Sequence, residues 1–429
     1  MAVEKNNKGF LKKILIWENA LLVDILAIVF FLSLNLVYLF PFLGQADGGN
    51  FFSAPLVPKL ASFLAVLSGL PVGQAMTLCL LVFIIFGPVS LYLLVAKLSG
   101  RRLAAFAAGL IYSLPLEILA VGRVKMAFLV GDGGHIAALT LVPVVIFFLL
   151  GFLKEGKFGS LVVGSLVLGI IALMSPFAFL SAGMVSTVAA FSEFLQGKGR
   201  LKFLRFLFFL AFSAGFIAFW YNPAFVVSFW NSAQGQAIKK SFFNLVPISF
   251  VVVPIMGAFG FLLFEKRAHL QALFIALGLV VLFSLISFAD YIGQLFPSHP
   301  HRYLSELGFS FSFLAGVGLV YFSDYIRFNG RFFKIRLTPL GRKMANKVLW
   351  FGFFSTGLLA IFISLRSFWQ LPESQVLGAW NEGITAGGWE IRRQAGGILA
   401  VLGNLITYLT IFLGGFLWLK IKKNEKSTG

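Results

Sequence analysis

The chain has 429 residues, 59% of them hydrophobic and 12% charged, with a mean hydropathy of +0.93. A soluble domain carries about a quarter charged residues, so a soluble globular protein is excluded, and continuous rather than alternating apolar runs exclude a β-barrel. The formal charge of +19 fits Lys and Arg gathered in cytoplasmic loops and calls for no nucleic-acid partner.

A run of about 20 apolar residues reads as a membrane-spanning helix. The N-terminal MAVEKNNKGFLKKILIWENALL is basic, then apolar, without a small-residue cleavage site, and reads as a retained first helix. Spans are predicted at 20–40, 75–96, 103–121, 135–153, 159–174, 176–196, 203–222, 244–264, 270–290, 306–326, 347–365 and 396–419. The expectation is an all-α polytopic bundle of about twelve transmembrane helices, one integral-membrane domain over residues 1–429 with no separate soluble domain. The run LMSPFAFLS at 173–181 reads as a tight turn between two short helices, a proline kink in one long helix, or a re-entrant pair. The single cysteine, Cys79, sits in an apolar run and forms no internal disulfide.

Charge orients the spans. With the N-terminus inside, 26 Lys and Arg fall in inner segments and 9 in outer ones, which places both termini in the cytoplasm. Merging the two helices around LMSPFAFLS would invert every later loop and spoil that asymmetry. Half of the acids fall outside: Asp47, Glu117, Asp132, Asp290, Glu306, Glu373, Glu382 and Glu390. The inner loops are short basic connectors, so function is expected in the outer loops.

The first outer loop, 41–74, is too long for a plain connection. Its second half, APLVPKLASFLAVLSGL, is apolar enough to lie at the interface or tuck into the bundle mouth. Asp47 sits in QADGGN, where Gly48 and Gly49 allow close approach to the backbone; it reads as a solvent-exposed Asp-Gly turn, or as a general base or metal-binding carboxylate. GDGGH at 131–135 places Asp132 and His135 at the head of the fourth span, either as a polar cap or where a helix N-terminus favours an anion. The segment DYIGQLFPSHPHRYLSE carries Asp290, His299, His301, Arg302 and Glu306. It is either an interfacial polar loop or an anion site, in which a guanidinium fork suits phosphate and histidine adds a donor. Asp24 and Glu18 lie near the inner end of the first helix and are set aside as able to reach water.

This layout resembles the GT-C class of integral-membrane glycosyltransferases, and most closely its families of membrane proteins described as related to 6-pyruvoyl-tetrahydropterin synthase, a label that implies no pterin chemistry here. The pieces that carry the resemblance are Asp47 in QADGGN, GGHIAALTLVP (133–143), LMSPFAFLSAG (173–183), WYNPAF (220–225) and HPHRYLSELGFSFSFLAGVGL (299–319). It implies a GT-C-like bundle with a long first outer loop, working at the outer face of the plasma membrane. It implies sugar transfer from a polyprenyl-phosphate donor, with Asp47 as base or ligand of a divalent cation (Mg or Mn) and Arg302, aided by His299 and His301, on the phosphate. His135, Asp290 and Glu306 would line the substrate site. The first loop lacks a paired DD, ED or DxD, and Asp132 is the alternative acid. The alternatives are a multi-spanning transporter or lipid-linked oligosaccharide flippase, a lipid-linked glycan polymerase or ligase, and a non-catalytic assembly partner.

Overall fold

The protein is described here by a computed structural model covering residues 21–37, 39–40, 54–114, 123, 127, 133–231, 236, 239, 253–258, 260, 270–287, 303–328 and 398–428. Among them there is no strand. The helices, in chain order, are α1 (Leu21–Val37), α2 (Leu56–Ser68), α3 (Val72–Ser99), α4 (Arg102–Ser113), α5 (Gly133–Leu139), α6 (Val142–Glu155), α7 (Phe158–Met174), α8 (Pro176–Phe194), α9 (Gly199–Ile217), α10 (Pro223–Asn231), α11 (Gln271–Ser287), α12 (Leu304–Phe328) and α13 (Ile398–Thr428).

Among the described residues, four stretches are long and apolar enough to cross a membrane: Val72–Ser99, Gly133–Glu155, Pro176–Phe194 and Val401–Trp418. Six shorter helices are also apolar. Large apolar side chains stand exposed on the bundle, including Leu26 and Val29 on α1, Phe203 and Leu207 on α9, and Tyr408 and Phe412 on α13. Exposed patches of that extent are uncommon on soluble monomers and are what a lipid-facing surface presents. The predicted span at 347–365 lies outside the described residues, as does most of that at 244–264.

Prolines set several boundaries. Leu114, which precedes Pro115 in the sequence, is extended at φ −72, ψ 128, as a following proline demands. The predicted helix over 103–121 therefore stops at Ser113. Pro143 sits in the first turn of α6, and the chain between α5 and α6 tightens into a turn through Leu141 N–H to Ala138 O. At 173–181 the chain breaks at Ser175, whose side-chain oxygen caps α8 by accepting from Ala178 N–H while Pro176 occupies the first turn. The start of α8 lies against α5, through Ser175 and His135. Its end lies against the end of α6, through Glu193 and Lys154. Because α6 and α7 are joined by a two-residue turn, α8 must run back antiparallel to α7. Of the three readings of LMSPFAFLS, the proline kink in one long helix is overturned: two helices meet in a tight turn.

The bundle packs on small residues. A Cβ at Gly316 of α12 would come within 2.5 Å of Ala104 O and 2.6 Å of Ala108 Cβ, so α12 and α4 approach at backbone distance, the usual solution where lipid offers no hydrophobic drive. Phe274, Phe283 and Phe313 are fully buried in the interior. The apolar half of the first loop forms α2, which buries Val57 and Ala61 and exposes Phe63, Val66 and Leu67. Lys59 of α2 lies over the Trp220 ring at 5.2 Å, so α2 lies against the α9–α10 corner.

Candidate functional site

Of the eight residues singled out in the sequence, His135 and Glu306 are described. Asp47, Asp132, Asp290, His299, His301 and Arg302 lie outside the described residues. His135, in the first turn of α5, and Glu306, in the first turn of α12, are 171 positions apart and meet with Nε2 to Oε1 at 2.9 Å. Each is 1% exposed.

Two serines complete the cluster. Ser181 of α8 donates to Glu306 Oε1. Ser175 lies 3.5 Å from His135 Nδ1. Ser175 Oγ also accepts from Ala178 N–H, so the imidazole is held between the α8 cap and the Glu306 carboxyl. Glu306 Oε1 has two partners, whereas the buried Oε2 has none. A buried polar atom left unmatched costs about 1–3 kcal/mol, so Oε2 is the atom here that gains most from an incoming donor.

Beside this pair lies a buried cation that sequence reasoning counted only as a loop charge. Arg123 is 4% exposed. Its Nη1 donates to Ile84 O and its Nη2 to Asn35 Oδ1. Pro88 lies inside α3 and lacks the N–H that would have bonded Ile84 O; the guanidinium takes that place. Gly87 leaves the room, since a Cβ there would collide with Arg123 Nη1. Asn35 is itself fixed, donating to Phe31 O at 2.7 Å and Ser113 Oγ at 3.2 Å. The Arg123 guanidinium lies 4.9 Å from the centre of the Tyr112 ring, and Tyr112 packs edge-on against Phe309 of α12 at 5.8 Å. None of the ion pairs among the described residues involves Arg123, and its Nε has no hydrogen-bond partner. The signal in the sequence was Pro88 within an otherwise unbroken helical run.

Tyr221 repeats the device. Its hydroxyl donates to Ala172 O at 2.6 Å, the carbonyl four residues before Pro176. The WYNPAF corner is thereby tied to the α7–α8 turn beside His135.

A second buried cluster occupies the opposite end of the helices. Glu193 is fully buried and pairs with Lys202 at 2.8 Å and Lys154 at 3.2 Å. Gln271 Nε2 donates to Glu193 Oε1 at 2.5 Å and to Ser192 Oγ at 3.0 Å, and Lys154 donates to Gln271 Oε1 at 3.0 Å. This knot joins α6, α8, α9 and α11. Its donors match its acceptors, which suits a structural tie. Asp24 is bound by Arg102 at 2.8 and 2.9 Å and by the Tyr92 hydroxyl. Among the described residues no group of three or more His, Cys, Asp or Glu could hold a metal.

These features define a helical membrane protein with a buried polar centre. Residues 51–251 match the family described as 6-pyruvoyl-tetrahydropterin synthase related domain; membrane protein. The match covers α2 to α10, and with them Arg123, His135, Ser175, Ser181 and Glu193, whereas Glu306 lies beyond it. No curated protein and no solved structure matches the chain.

Proposed function

We propose that the protein is a GT-C-like glycosyltransferase that moves a sugar from a polyprenyl-phosphate donor to an acceptor at the outer face of the plasma membrane. On this reading about twelve helices span the bilayer, both termini are cytoplasmic, and the first loop borders the entry of the lipid tail. The observation that carries it is the His135–Glu306 contact. Asp132 stands three residues before His135, and Arg302 four before Glu306. His135 and Glu306 each close a segment in which an acid or a phosphate-binding cation was expected, and their contact supports one site built from both.

In the reaction the acceptor oxygen bonds to the sugar's anomeric carbon, the bond from that carbon to the donor phosphate breaks, and the acceptor proton passes to a carboxylate. Asp47, or Asp132 in its place, takes that proton. Arg302, with His299 and His301, holds the phosphate as it leaves. Glu306, oriented by Ser181 and His135, offers Oε2 to a hydroxyl of the bound sugar. Asp47, the residue expected to hold magnesium or manganese, lies outside the described residues.

The test is incubation of the purified protein with radiolabelled polyprenyl-phosphate sugars, beside Asp47→Asn, Asp132→Asn and Arg302→Ala. Transfer by the wild type, reduced by at least about tenfold in Arg302→Ala and in one Asp variant, supports the reading. Transfer unchanged in all three variants removes these roles.

A transporter or flippase is the second reading, and the buried, acid-free Arg123 favours it, since ionisable groups inside a bundle often line a substrate path. Proteoliposomes that move lipid-linked sugar between leaflets without hydrolysing it would replace the first reading with this one. The glycan polymerase or ligase reading has no separate observation behind it.

A further inference from the structure

Residues 60–96 carry no charged side chain and no histidine. A helix of about 20 residues spans a bilayer. α3 alone, with 28 residues, reaches roughly 42 Å at 1.5 Å per residue, against a hydrocarbon core of about 30 Å. The charge-free run is therefore longer than one crossing needs. Its surplus lies in α2, whose 13 residues add roughly 20 Å.

α2 and α3 pack against each other and are joined by Gly69, Leu70 and Pro71. So short a link makes them antiparallel neighbours. Gly69, at φ 70, ends α2 and donates its N–H to Ala65 O. Counted back from Ser68, Leu60 lies roughly 12 Å along the helix from this tip, beside the middle of α3. Leu60, Phe63, Val66 and Leu67 are exposed, Val66 to 85%.

This outward face keeps its polar groups to itself. Ser62 Oγ donates to Pro58 O at 2.9 Å and Ser68 Oγ to Leu64 O at 2.6 Å, while Leu70 N–H donates to Ser68 Oγ at 3.3 Å. Lys59, the one charged residue of α2, lies over the Trp220 ring. Large apolar side chains beside hydroxyls bonded back to their own helix suit acyl chains, where every polar group must be satisfied internally.

We propose that α2 is a half-membrane helix, standing steeply in one leaflet beside α3, with the bilayer's acyl chains covering Leu60, Phe63 and Leu67. A helix lying flat in the interface would hold these three at one depth. The inference does not depend on sugar transfer.

The test uses Leu60→Cys, Phe63→Cys and Leu67→Cys, which follow one face of α2 over roughly 10 Å. Each is made in the full chain in a Cys79→Ser background, spin-labelled and reconstituted in phosphatidylcholine vesicles. Collisions with oxygen, which concentrates among acyl chains, are compared with collisions with a water-soluble nickel complex. The oxygen-to-nickel ratio is expected to be highest at Leu60→Cys, close to that of Val82→Cys on the exposed side of α3. It should fall at Phe63→Cys and again at Leu67→Cys. Glu155→Cys, at the exposed end of α6, gives the value for water. Val66→Cys replaces any of the three that fails to fold, with a ratio between those of Phe63→Cys and Leu67→Cys. Equal ratios along α2 mean a flat helix and overturn the proposal. Ratios matching Glu155→Cys, or labels that meet neither reagent, mean a face covered by water or by protein and overturn it as well.

Discussion

Arg123 donates a hydrogen bond to the backbone carbonyl of Ile84, the carbonyl that Pro88 leaves without its helical donor. The proline and the arginine form one unit, although 35 positions separate them. Replacing Arg123 by Ala orphans that carbonyl and Asn35 Oδ1, at a cost of about 1–3 kcal/mol. In a Pro88→Ala background the helix supplies its own N–H, and the same substitution costs about 1 kcal/mol less. Denaturant unfolding of the four proteins in detergent measures the difference; equal costs in both backgrounds would mean that the carbonyl is not what Arg123 serves.

Glu306 holds His135 and Ser181 through one oxygen and leaves the other unmatched. Glu306→Ala strips two buried donors of their acceptor and is expected to cost about 3 kcal/mol. Glu306→Gln keeps an acceptor at Oε1 and should cost about 1 kcal/mol while lowering sugar transfer more than tenfold, the scale of a lost charge-assisted contact to substrate. Thermal unfolding and turnover, measured together, separate the two effects. A Gln variant of full activity would reduce Glu306 to a structural role.

The Glu193 knot behaves as a buried ion network. Removing one partner from such a network leaves an unpaired charge and costs about 3–5 kcal/mol, so Glu193→Ala should be the most damaging single change at that end. Combining Glu193→Gln with Lys202→Met removes the two buried charges, leaves only the exposed Lys154, and should recover most of the loss. Unfolding midpoints in detergent check the order; a double variant less stable than Glu193→Ala contradicts it.

Gly316→Ala places a methyl group against Ala104 O and Ala108 Cβ. The neighbours are backbone and a Cβ, which cannot swing aside, so α12 must move off α4. A loss of about 1–3 kcal/mol is expected, whereas Gly318→Ala, whose Cβ would meet nothing within 4 Å, should be neutral or slightly stabilising. Melting curves of the two variants give the comparison directly.

Much of the bundle was legible because apolar length alone marks a helix bound for a membrane. The predicted spans at 159–174 and 176–196 fall within two residues of α7 and α8. Helix ends were less legible where a proline cuts inside an apolar run: Pro115 and Pro143 divide stretches whose hydropathy continues across them. His135 and Glu306 stood out as polar residues in apolar surroundings, yet nothing in their spacing said that they touch, because α5 and α12 are brought together by the packing of the helices around them. Arg123 and Glu193 escaped notice for a different reason. A charge close to a predicted span end is assigned to water, and only the fold shows that Arg123 turns inward to a freed carbonyl and that Glu193 is enclosed by two lysines and a glutamine.

The central claim is that the segments ending in Asp132 and Arg302 form one site, drawn together by His135 and Glu306. Crosslinking of Asp132→Cys with Arg302→Cys by a short bifunctional maleimide, in a Cys79→Ser background, tests it most directly. Lys154→Cys with Arg302→Cys serves as the pair from opposite ends of the bundle. The account predicts efficient crosslinking of the first pair and none of the second. Failure of the first pair to crosslink in folded protein, or equal crosslinking of both, would contradict it.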